Sequence, residues 1–139
     1  MSAQNLQLLN DTYYKSSFGF DQFVLGATLA GCAYLAQTIA YDQLGWNPAT
    51  VQLVPLLLMA LAAYCGFKRV EASIHTVKLN AAYLQLCSQY PGNAFPEQKA
   101  YAERASDRSG GYYSLRNLLL MLSLMGFVAA KILVKYDIF

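Results

Sequence analysis

The side chains that could do chemistry are few and scattered. His75 is the one histidine in the 139-residue chain, and it stands four residues after Glu71. On a helix that spacing puts imidazole and carboxylate on one face. Di-metal carboxylate bundles instead use Glu-x-x-His, a spacing of three, and use it twice, so the pair reads as an exposed polar contact. Cys32, Cys65 and Cys87 have no CxxC spacing and are odd in number. They read as small buried hydrophobes, not as a disulfide framework or metal ligands. No Gly-rich phosphate loop, paired carboxylates or activated serine or cysteine constellation is present. The expectation is therefore no catalytic residue, no cofactor or cofactor-binding residue, no metal ligand and no enzymatic activity.

The elements that would carry these residues are set by composition. Hydrophobic residues make up 56% of the chain and charged residues 13%, against about a quarter charged in soluble proteins. The class is all-α integral membrane, a single helical domain over residues 1–139. The net charge of +2 is too small to imply nucleic acid. The expected partners are membrane lipid and either further copies of the chain or other membrane subunits.

Three uncharged or nearly uncharged runs predict spans at about 23–41, 50–67 and 115–134. The 18 residues of the second run make about 27 Å of helix, close to the roughly 30 Å of a hydrocarbon core. Beyond it no proline or glycine occurs until Pro91 and Gly92, so the second span is predicted to continue as a long cytoplasmic helix. Pro55 falls about one turn into this span, where its missing donor is cheap and it could kink the helix. Asp42 to Ala49, with Trp46 and Asn47-Pro48, reads as an interfacial turn. Pro96, Glu97 and Gln98 start a short cytoplasmic helix that Gly110 and Gly111 should close, completing a cytoplasmic helical region at about 68–111. Within it, Lys99 and Glu103 are four apart and Arg104 and Asp107 three apart, as on a solvated helix.

The N-terminal stretch lacks the basic n-region and early apolar core of a signal peptide. Leu6, Leu9 and Tyr13 at helical spacing predict an interfacial helix instead, broken by Ser16, Ser17 and Gly19, after which Asp21 would cap the first span. Tyr112 and Tyr113 precede the third span and Tyr136 and Phe139 follow it, as interfacial aromatic residues do.

Small residues mark packing faces: Gly26, Ala30 and Gly31 on the first span, Ala62 and Gly66 on the second, Gly126 and Ala130 on the third. Along the second helix a heptad-spaced seam runs through Val70, Ile74, Val77, Ala81 and Leu84. It is expected to lie against the chain's own helices or, alternatively, against a second copy. A second stripe, Leu79, Tyr83, Leu86 and Tyr90, lies on another face. Gln37, Gln52 and Lys131 are candidate pore or headgroup contacts, with Lys131 near enough to the end of its span to snorkel.

These features predict a homo-oligomeric membrane protein forming a pore or channel-like assembly with a cytoplasmic helical collar. The alternative is a non-catalytic accessory subunit of a larger membrane complex. Lys15, Lys68, Arg69, Lys78, Arg108 and Arg116 fall on one side of the three spans, against Lys131 and Lys135 on the other. Positive-inside bias then places the N-terminus in the cytoplasm and the C-terminus outside a plasma membrane. A reporter fused after Phe139 should be active only if it works outside the cytoplasm; activity of a cytoplasm-only reporter there would reverse the orientation.

Overall fold

The computed structural model describes residues 3–39, 48–91 and 95–135. Within them lie three α-helices: α1, Ala3–Thr38; α2, Pro48–Gln89; and α3, Pro96–Lys135. The 42 residues of α2 extend about 63 Å, twice a hydrocarbon core. All three helices are long and apolar enough to cross a membrane, and the chain is an all-α membrane protein. Residues 42–47 of the Asp42 to Ala49 turn, Trp46 among them, Tyr136, Phe139 and the side chains of Leu6, Leu9, Tyr13 and Lys135 lie outside the described residues.

The helices run up, down and up. On the α1–α2 side, Gly31 faces Met59, Leu25 faces Gly66 and Asp21 bonds Arg69, so the partner number falls on one helix as it rises on the other. On the α2–α3 side, Pro55 meets Ser123 and Gly126, Arg69 meets Tyr113, and Ser73 bonds Ser109 at 2.9 Å. The α2–α3 hairpin thus stays in antiparallel register from the membrane outward, and Tyr90 and Phe95 close its tip edge to face, 6.4 Å between ring centroids.

Two expected breaks do not occur. Residues 3–20 form no separate interfacial helix, because α1 runs unbroken through Ser16, Ser17 and Gly19. Likewise α3 passes through Gly110 and Gly111 into the third span, so there is no separate short cytoplasmic helix. A mid-helix glycine costs only about 1 kcal/mol relative to alanine, and a helix already nucleated on both sides propagates across it. Packing on α2 holds α3 on either flank, through Ser109 before the glycines and Tyr113 after them. Asp21, now in the middle of α1, caps nothing.

Pro55 is built into the packing. Its ring is fully buried, and a Cβ on Gly126 would lie 3.4 Å from it. The hydroxyl of buried Ser123 donates to the Pro55 carbonyl at 2.8 Å. A ring on α2 therefore seats against a gap on α3, as close helix approach in lipid requires. Ala62, Gly66 and Ala130 are also buried between helices, whereas Gly26 and Ala30 lie on exposed surface. A Cβ on Gly66 would come 3.1 Å from Leu25, and one on Gly31 2.7 Å from the Met59 sulfur.

Substitution should follow this division. Gly66→Leu and Gly126→Leu force bulk into filled contacts and should destabilise the fold by about 1–3 kcal/mol. Gly26→Leu, with nothing within 4 Å of the added atom, should leave thermal unfolding in detergent unchanged.

Candidate functional site

The charges that end the three apolar runs converge at one level. Asp21 on α1, Arg69 on α2 and Arg116 on α3 are separated in sequence by tens of residues, but the up-down-up register brings them side by side. Arg69 Nε donates to Asp21 Oδ2 at 2.6 Å, and an Arg116 terminal nitrogen donates to Asp21 Oδ1 at 3.0 Å. One carboxylate therefore joins all three helices. Arg116 is only 1% exposed and Asp21 5%. Arg116 also donates from two nitrogens to Asn117 Oδ1, each at 3.3 Å. The Tyr113 ring lies under both guanidiniums, 4.1 Å from the Arg69 carbon and 5.2 Å from that of Arg116, a cation–π arrangement.

This cluster is the most buried polar constellation among the described residues, and its chemistry is that of a fastener. A buried ion pair gains little over an apolar contact of the same shape, because desolvation offsets the Coulomb attraction. Removing one partner is different, since it strands the other charge. The cluster sits at the same boundary of all three spans, where the first and third begin and the second ends, so Asp21, Arg69 and Arg116 fix the relative height of the helices.

The remaining candidates do not converge. Glu71 is bonded to Lys68 at 2.7 Å, while His75, one turn further on, is exposed. The hydrogen bond from Lys68 holds the Glu71 carboxyl below its ordinary range and the lysine above its own, so both stay charged through neutral pH. All three cysteines are free, with Cys65 buried and Cys32 and Cys87 half-buried. No group of three potential metal-ligating side chains occurs among the described residues. Thr28 donates to its own helix at Val24 and Ser123 to Pro55. Gln37 and Lys131 are exposed and Gln52 is half-buried. The Lys131 amine lies 5.5 Å from the Phe127 ring centre. Lys99 and Glu103 pair at 3.8 Å.

The seam outside the membrane is not where a helix packed on its own chain would put it. Val77 is 62% and Leu84 65% exposed, and Ile74 and Ala81 are exposed with them, while Val70 is half-buried. The helix α3 takes the other stripe: Leu79 lies near Tyr101 and Ala105, and Tyr83 near Lys99 and Ala102. Packing of the seam within the chain is thereby corrected. A helix can offer only one face to each neighbour, and α3 occupies the Leu79 and Tyr83 face.

Sequence reasoning missed the ion cluster, reading Asp21 as a cap and Arg116 as a boundary charge. The signal was present in the register. Three antiparallel spans, each with a charge at the same boundary, bring Asp21, Arg69 and Arg116 to one height, and only one of the three is an acid. In comparisons with protein-family models, curated proteins and solved structures, the chain matches none.

Asp21→Asn keeps the shape but leaves the buried Arg116 and the half-buried Arg69 without a counter-charge, and should destabilise the fold by about 3–5 kcal/mol. Glu71→Gln, which breaks an exposed pair, should change stability by less than about 1 kcal/mol. Equal unfolding midpoints for the two variants in detergent would contradict the fastening role of Asp21.

Proposed function

We propose that the protein acts as a non-catalytic homo-oligomer in a plasma membrane, with copies packed side by side along α2 and their outer hairpins forming a cytoplasmic helical collar. One observation carries this reading: the exposed apolar stripe on α2 does not end at the membrane. Leu57, Leu61, Tyr64 and Phe67 are exposed in the apolar half, and beyond it Ile74, Val77, Ala81 and Leu84, in heptad steps from Phe67, are exposed as well. Lipid covers the first group at no cost. In water the second group is penalised at about 25 cal/mol for each Å² of apolar surface.

A cover for this stripe must lie parallel to α2 through both media. A second copy, related by an axis along the membrane normal, meets that requirement by symmetry, because each seam residue then faces its own counterpart at the same height. Lys68 holds Glu71 where the stripe crosses the boundary, so that charge does not repel its counterpart unscreened. A conducting path through such an assembly would be gated by apolar constriction, since Thr28 and Ser123 are engaged within one chain.

That inward engagement of the span hydroxyls favours the second reading, a non-conducting accessory subunit whose α2 stripe rests on another membrane protein.

Leu84→Asp places a carboxylate in the seam at about 1–3 kcal/mol per contact, and should lower the oligomer mass in detergent while membrane insertion persists. Gln85→Asp is the control and should leave the mass unchanged. With Cys32, Cys65 and Cys87 replaced, Val77→Cys oxidised in the membrane should give a dimer-sized band. A monomeric mass with no crosslink would remove self-association and leave the accessory reading.

A further inference from the structure

Just outside the ion cluster, α2 and α3 separate to leave a cleft of about 420 Å³. Its inner end is formed by Lys68 and Tyr112, each next to a member of the cluster or its tyrosine, and its outer end by Leu79 and Tyr101. The 11 residues from Lys68 to Leu79 correspond to about 16 Å. The cleft therefore begins where the apolar runs stop, crosses a headgroup layer of about 5–8 Å and extends beyond it.

Its charge is unbalanced. Glu71, the acid in the lining, is taken up by Lys68. Arg104 and Arg108 also line the cleft, four residues apart and so on one face of α3. Among the described residues neither makes an ion pair, although Asp107 stands three residues from Arg104, and Glu103 turns instead to Lys99. The cluster at the inner end adds to the imbalance, with one carboxylate for the two guanidiniums of Arg69 and Arg116. Paired guanidiniums offer parallel N–H donors that match phosphate oxygens. Tyr101 and Tyr112 bring phenol groups to the same walls.

We propose that this cleft binds the phosphorylated headgroup of an anionic membrane lipid, with Arg104 and Arg108 as the phosphate ligands. Position decides for lipid over a soluble anion, because the inner end of the cleft lies at the membrane boundary, where an acyl chain can run down the apolar spans while its phosphate meets the arginines. Basic side chains next to a membrane attract anionic headgroups in just this zone. The site is complete within one chain and does not depend on how many copies assemble.

The test uses the full-length protein in neutral detergent, offered phosphatidic acid, phosphatidylcholine and inorganic phosphate in turn, with binding read by native mass spectrometry. Phosphatidic acid should be retained in preference to phosphatidylcholine. The double variant Arg104→Gln, Arg108→Gln should lose that retention by about tenfold or more, the loss of charge-assisted hydrogen bonds. Both arginines are exposed, so the melting temperature should not move. The double variant Lys78→Gln, Lys99→Gln removes the same charge from outside the cleft and should bind as the parent does. Equal retention of both lipids, or equal loss in both double variants, would overturn the proposal. Arginine-dependent binding of inorganic phosphate without retention of phosphatidic acid would assign the cleft to a soluble anion and overturn it equally.

Discussion

A single carboxylate holds this structure in register. Asp21 accepts one guanidinium from each neighbouring helix, and no other side-chain bond among the described residues ties α1 to both α2 and α3. Hydrocarbon gives helices little reason to choose one height over another, since sliding exchanges one apolar contact for another. A charge that must be matched removes that freedom. Tyr113 completes the arrangement by laying its ring against both cations, filling space that a smaller residue would leave to water or lipid.

Below the cluster, shape takes over from charge. Gly66 lets Leu25 and the aliphatic part of Arg116 approach α2, and Gly126 makes room for the Pro55 ring. Proline inside a helix removes a backbone donor, and here its bulk becomes a contact surface on α2. The same span hydroxyls that a pore would need as lining are turned to backbone carbonyls at Val24 and Pro55. The bundle therefore has a polar boundary, a close-packed interior and an outer surface of leucine, methionine and aromatic residues.

The broad outline was legible in the sequence. Runs without charge gave three membrane-length helices, and the absence of proline and glycine between Lys68 and Tyr90 gave the continuation of α2. Glycine misled at Gly19 and at Gly110 and Gly111, because local propensity carries about 1 kcal/mol and tertiary anchoring on both flanks exceeds it. The heptad seam was visible as spacing, but spacing cannot say which of two apolar stripes a neighbour will choose. That choice depends on the register of α3, which is fixed by Arg116 and Ser109, residues of a different helix from the seam. The ion cluster was hidden for a related reason: its members are unremarkable one by one, and only the topology makes them neighbours.

The unbroken course of α2 through the boundary has a mechanical consequence. From Arg69 the helix runs 20 residues outward to Gln89 and 21 inward to Pro48, about 30 Å in each direction. A stiff rod held at its middle by the cluster is a lever with equal arms. Tilting the outer hairpin swings the far end of the second span the opposite way by nearly the same distance, and α3, bound to α2 on both sides of the fulcrum, moves with it.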